Sequence, residues 1–354
     1  MISKVLPVLA LAGAVMAVCP LSVDIVGTAD HVAQVAVTNN GTEVITLFKG
    51  NTVLSDHATK DLVVAAADGT TLPFAGVYIN YKKSGLAAEN FQTLEPGQTV
   101  TASVNAAKSY KLAGVTTAQI TAVQGFQYVT GSEAPTTLGD LTSCDDITSS
   151  TVTITPDQNT VASEHISKRD TPNISSRIKK RSVTYSSCST SQTSSLKTSV
   201  SHAISMSSAA YTAAGSGADD FTTWFISTSE ETKVRSIYTD VKGVQTTSPE
   251  ISCTDTYGDC SDGSALLFTV PSDNVIVPCP DNGFWDFPEY ATTCSDDDYD
   301  RAGSILHEMT HLYGTDDYAY GPTAAKALTA AKAAANADTY EMYAGSVRLG
   351  GCTS

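Results

Sequence analysis

The sequence predicts an α+β protein, with a β-sandwich-like N-terminal part and a mainly α-helical C-terminal part that carries a small β-sheet. Three observations predict it. Short runs of alternating apolar and polar residues fill Leu21 to about Thr130, apolar residues recur at helical spacing beyond residue 182, and a polar stretch ending in Lys168-Arg169 and Lys179-Lys180-Arg181 separates the two.

In chain order, Met1 to about Val18 has the form of a secretory signal. Lys4 is followed by an apolar run from Val5 to Val15 and by the small residues Ala14 and Ala17, so residues 1–19 are assigned to the signal. The run is shorter than the ~20 residues a bilayer span needs, and a soluble, secreted product is expected. Next come the strand candidates Val32–Val37, Thr42–Leu47, Gly76–Tyr81 and Thr99–Val104, punctuated by Asn39-Asn40-Gly41, Asp68-Gly69 and Pro96-Gly97. Residues 20–181 form a pro-region, β-rich over 21–130 and a linker over 131–181. Cleavage is expected after Lys180-Arg181, where solvated basic pairs are open to processing proteases.

Charge divides at the same place. The net charge of the chain is −16, of which −14 falls in residues 182–354 (8 Lys+Arg against 22 Asp+Glu). A surface this acidic excludes a phosphate-binding role, so nucleic acid is not an expected partner. Eight cysteines suit an oxidising compartment. Six of them, Cys188, Cys253, Cys260, Cys279, Cys294 and Cys352, form an even set in residues 182–354, whose pairing the sequence pattern leaves open. In the same part, helices are expected at Leu196–Ala214, Glu230–Val244, Asp296–Leu312 and Thr323–Val347, and strands at Ala265–Val270 and Asn274–Val277.

The chemistry lies in His307-Glu308-Met309-Thr310-His311. On a helix two His four residues apart rise from one face one turn apart and can share a metal, while Glu308, about 100° round, can lean over an open metal position. A catalytic zinc needs a third protein ligand and a position for water. No His follows His311, so the candidates are Asp316, Asp317, Asp338 and Glu341. Gly314 can end the helix in a left-handed turn that swings Thr315-Asp316-Asp317 back beneath the metal.

The run Gly314-Thr315-Asp316-Asp317-Tyr318-Ala319-Tyr320-Gly321 resembles the Gly-Thr-x-Asp-x-x-Tyr-Gly signature of the aspzincins, the deuterolysin (neutral protease 2) family of fungal secreted zinc metalloendopeptidases. The resemblance covers the signal, pro-region and peptidase layout, and its specific part runs from about Cys188 to Cys352. It implies a zincin-like catalytic domain over residues 182–354, with one Zn2+ held by His307, His311 and Asp317. It implies Glu308 as general base, Tyr320 as oxyanion stabiliser, and the bridges Cys188–Cys253, Cys260–Cys279 and Cys294–Cys352. The connector from His311 to the ligand Asp is shorter than in the family, which keeps Asp316 open beside Asp317. The segment Pro280–Trp285 lacks a tyrosine that some relatives carry there.

Asp338 and Glu341, three apart on the expected last helix, can point into one spot. In some aspzincins carboxylates at corresponding places shape a pocket for a basic residue just after the cut. The expectation is therefore a monomeric, secreted zinc endopeptidase made as a zymogen. Its substrates are proteins and peptides, with basic ones favoured, and its own pro-region serves as intramolecular inhibitor or folding aid. Two rivals are a metzincin-like protease, which needs a methionine turn under the metal, and a secreted binding protein with an incidental motif.

Overall fold

The computed structural model describes residues 19–144, 146–164, 182–217, 219–293 and 300–352. The proposed processing residues Lys180 and Arg181, and Cys294, lie outside them. Among the described residues no helix is long and apolar enough to cross a membrane.

The N-terminal part is β-rich, as its alternation predicts. Leu21–Ala29 and Val32–Asn39 form a hairpin, its tight turn helped by a positive φ at Asp30, and Thr99–Asn105 adds the third strand. A second sheet runs Thr142–Ser143, Gln127–Thr130, Ile45–Phe48, Phe91–Leu94, and a third is built around Ala118–Gln124. Alternate residues of these strands, among them Val23, Val35, Val37, Leu47, Val64 and Ile120, fill one core. Part of the expected 131–181 linker carries secondary structure. Residues 142–154 add three short strands, with Val152–Ile154 and Ile147–Thr148 paired to Ala118–Gln124, and Val161–Glu164 is helical. These elements are two to four residues long, too short to show a period. Cys144 is bonded to Cys19, which ties this segment to the first strand. Cys19 is thus bonded within the N-terminal part.

The C-terminal part packs helices on one face of a five-stranded sheet. Its first helix, Thr190–Ala214, begins in a capping box of Ser189 and Gln192 and buries Leu196, Val200, Ala203, Met206 and Ala210 along one stripe. Glu231–Lys242 packs beside it through Val234, Ile237, Tyr238 and Val241. The bridges Cys188–Cys253 and Cys260–Cys279 are formed, and Cys352 is also disulfide-bonded. The sheet order is Thr184–Ser186, Glu250–Ser252, Val275–Pro278, Ala265–Val270 and, from the N-terminal part, Tyr78–Tyr81. A strand of one half thus completes the sheet of the other.

The expected single helix Thr323–Val347 is broken into Pro322–Lys326, Ala330–Ala333 and Ala337–Leu349. Alanine's helix propensity, a few tenths of a kcal/mol per residue, yields here to the buried carboxamide of Asn336. Its Oδ1 accepts from the Tyr318 and Ala319 amides at 2.8 and 3.1 Å, and its Nδ2 donates to the Ala319 carbonyl at 3.0 Å. The break therefore clamps the loop that follows the His pair.

Candidate metal centre

The helix Arg301–His311 carries the His pair. It starts at Asp300, whose carboxylate accepts from the Gly303 amide, and every residue from Ala302 to His311 is buried. Its neighbours are the long first helix, the last helix and the strand Ala265–Val270. The His311 ring stacks on that of Tyr78 from the N-terminal part. After His311 the chain turns at Gly314, where φ is +95°, a conformation that suits glycine. The turn is pinned by Thr310 and Thr315, whose hydroxyls lie 2.7 Å apart. It returns Asp317 beneath the helix, with Oδ1 3.2 Å from His307 Nε2 and Oδ2 3.4 Å from His311 Nε2.

Asp316 goes elsewhere. Its carboxylate accepts from Lys60 Nζ at 2.8 Å and from the Tyr78 hydroxyl at 2.6 Å. Of the two carboxylates, Asp317 is the one that lies beside both imidazoles.

The donor set fits a cation. One ligand atom from each of His307, His311 and Asp317 lies within 4.8 Å of the others. His307 Nε2, His311 Nε2, both Asp317 oxygens and Glu308 Oε1 are buried without hydrogen-bond partners. So many unpaired polar atoms facing one point are costly unless an ion satisfies them. His311 Nδ1 lies 3.1 Å from the Thr315 carbonyl, which fixes the proton there and turns the Nε2 lone pair inward. Burial pushes the Asp317 carboxyl up, but the imidazoles of His311 and His307 outweigh it and hold it well below the usual carboxylate range.

Glu308 is fully buried, and burial pushes its carboxyl up to about 7 against the pull of the two imidazoles. Thr269 donates to Oε2 at 2.6 Å and leaves Oε1 buried without a partner. Asp338 and Glu341 come together behind His307. Glu341 Oε2 is 3.4 Å and Asp338 Oδ1 3.7 Å from His307 Nδ1, and the Gly321 amide donates to Asp338 Oδ2 at 2.7 Å. The Tyr320 ring lies nearly parallel to that of His307, but its hydroxyl donates to the Ile79 carbonyl at 2.6 Å and accepts from Asn51 Nδ2 at 2.5 Å.

Sequence reasoning did not reach Thr269, Tyr78, Asn51, Lys60 or Lys83. All meet the site through tertiary pairing, and the four from the N-terminal part carry no motif. The metzincin alternative fails on structure, because Met342 sits within the helix Ala337–Leu349 and forms no turn beneath the site.

Two imidazoles one helical turn apart, a carboxylate returned to them by a tight turn, and a buried glutamate between them define a metallopeptidase centre of the zincin type. Comparisons sharpen the class. The aspzincin family model, described as lysine-specific metallo-endopeptidase, matches residues 210–345. A neutral protease 2 homolog of Sclerotinia sclerotiorum is 31% identical over 343 residues, covering 93% of this chain and 90% of the relative. A second, from Botryotinia fuckeliana, is 32% identical over 345 residues, covering 93% and 92%, and one from Phaeosphaeria nodorum is 31% identical over 341. The chain belongs to the aspzincin family and is a metalloendopeptidase.

Proposed function

We propose that the chain is the precursor of a secreted zinc endopeptidase. In this reading residues 182–354 are the catalytic domain and the part before Arg181 is its pro-region. The observation that carries the metal assignment is the convergence of unpaired buried atoms from His307, His311 and Asp317. Three bridges among the described residues and the charge divide at residue 181 support an extracellular, processed product.

When bound, zinc supplies Lewis acidity that polarises the scissile carbonyl and makes water a nucleophile near neutral pH. Glu308 Oε1 takes the proton of the attacking water and passes it to the departing amine, while Thr269 holds the other oxygen. The Tyr320 hydroxyl, once released from Ile79 and Asn51, donates to the developing oxyanion. His311 is oriented by Thr315, and the Glu341 carboxylate stands 3.4 Å behind His307 Nδ1.

Asp338 and Glu341 form the floor of a pocket for a Lys or Arg side chain just after the cut, consistent with the family's lysine-specific description. The processed enzyme acts as a monomer on basic proteins. Casein hydrolysis with and without a chelator, together with metal analysis, tests the reading. Peptides differing only as Lys, Leu or Glu after the scissile bond test the pocket, and equal rates would refute it. Glu308→Gln is expected to keep its metal and lose nearly all turnover.

A further inference from the structure

Four groups from the N-terminal part, the Tyr78 ring, the Ile79 carbonyl, the Asn80 amide and Lys83, come from one short segment beside the site. Tyr78–Tyr81 lies antiparallel on the Ala265–Val270 strand, with Thr269 opposite Tyr78, Phe268 opposite Ile79 and Leu267 opposite Asn80. Directly opposed residues share a face of the sheet. Thr269 reaches Glu308 on that face, and the Tyr78 ring stacks on the His311 ring with centroids 4.3 Å apart and planes 6° from parallel. Asn80, two residues on, faces the same way. It is fully buried, and neither its Oδ1 nor its Nδ2 has a hydrogen-bond partner. Like ligand-type atoms of His307, His311, Asp317 and Glu308, its amide is buried without a partner.

Just past the strand, Lys83 is buried, with Nζ 3.5 Å from Asp338 Oδ1. It is the countercharge felt by both Asp338 and Glu341. The Ile79 carbonyl meanwhile occupies the Tyr320 hydroxyl.

We propose that residues 78–83 are a tethered pseudo-substrate: Asn80 Oδ1 takes the metal position otherwise open to water, and Lys83 fills the pocket for the basic side chain. The strand supplies the backbone pairing of a bound peptide, the lysine supplies the specificity contact, and the carboxamide displaces the water that would cut the chain. The proposal rests on the metal and pocket assignments made above, and it explains how a strand that fits the cleft so closely survives there.

The test uses the full chain with Lys180→Ala and Arg181→Ala, loaded with Co2+. Asn80→Ala is expected to change the visible spectrum and make it pH-dependent as water enters the shell, and to speed loss of the metal to a chelator. Asn80→Asp, which keeps an oxygen in place, is expected to do neither. Lys83→Met should leave the spectrum unchanged yet tighten binding of a non-cleavable lysine peptide by about tenfold or more, the effect of removing a buried charged contact. Lys83→Arg should keep the pocket closed. Identical spectra for the parent and Asn80→Ala, or unchanged peptide affinity in Lys83→Met, would overturn the proposal. Failure of the pocket reading itself appears separately, as equal cleavage of Lys and Leu peptides by the processed enzyme.

Discussion

His57 of the N-terminal part sits between two carboxylates of the C-terminal part, with Nδ1 2.9 Å from Asp259 and Nε2 3.2 Å from Asp262. Burial alone would lower its pKa, but the two hydrogen-bonded carboxylates prevail and raise it from 6.5 to about 9. A raised pKa means that the folded state binds the proton more tightly than the unfolded chain does. The stabilisation is therefore complete below about pH 6.5 and is lost as pH rises through about 9. The shift amounts to about 3 kcal/mol at 1.36 kcal/mol per unit, shared between folding and the hold of one half on the other. Urea unfolding of the intact chain, followed from pH 6 to pH 10, should show that loss. His57→Gln should remove most of it. Burial also pushes the Asp61 carboxyl up to about 8 while the His57 charge pulls it down, so the difference between the two profiles reports His57 together with its effect on Asp61. Parallel profiles for parent and variant would refute the reasoning.

Other expectations follow from single contacts. Thr269→Val removes the bond that holds Glu308 Oε2 and should lower kcat of the processed enzyme about tenfold with metal content unchanged, read by kinetics beside metal analysis. Tyr320→Phe should cost about 10²–10³ in kcat, the range for one oxyanion donor, with little change in KM. In Gly303→Ala the new methyl would lie 2.9 Å from Asp300 Oδ1 and 3.0 Å from Glu341 Oε1. Thermal unfolding should show a cost of about 1–3 kcal/mol, and peptide assays a reduced preference for lysine. Asn336→Ala frees the 316–319 loop from three hydrogen bonds, and a competition titration should show weaker metal binding.

Much of the candidate site was legible in the sequence because its proposed ligands are local. His307, Glu308 and His311 sit on one helix, and Asp317 returns through a turn marked by Gly314, so spacing alone brings them close. The strand Ala265–Val270 was legible as a short continuous apolar run, and the long first helix from Leu196 onward, although its polar first turns begin at Thr190. What escaped was set by distant partners. The break at Asn336 depends on a carboxamide satisfied by a loop, in an alanine-rich stretch whose propensity favours one helix. The short strands of 142–154 exist because Ala118–Gln124 offers them an edge. Tyr78, Asn80 and Lys83 acquire meaning only from the register that lays one half's strand on the other's sheet.

X-ray absorption of the zinc-loaded chain bears most directly on the assignment of the metal centre, read beside the zinc content of single variants. Two imidazole nitrogens and a carboxylate oxygen are expected around one zinc, with the metal lost in His311→Ala and Asp317→Ala but kept in Asp316→Ala and Glu308→Gln. Zinc retained at full stoichiometry in Asp317→Ala, or lost in Asp316→Ala instead, would contradict the assignment.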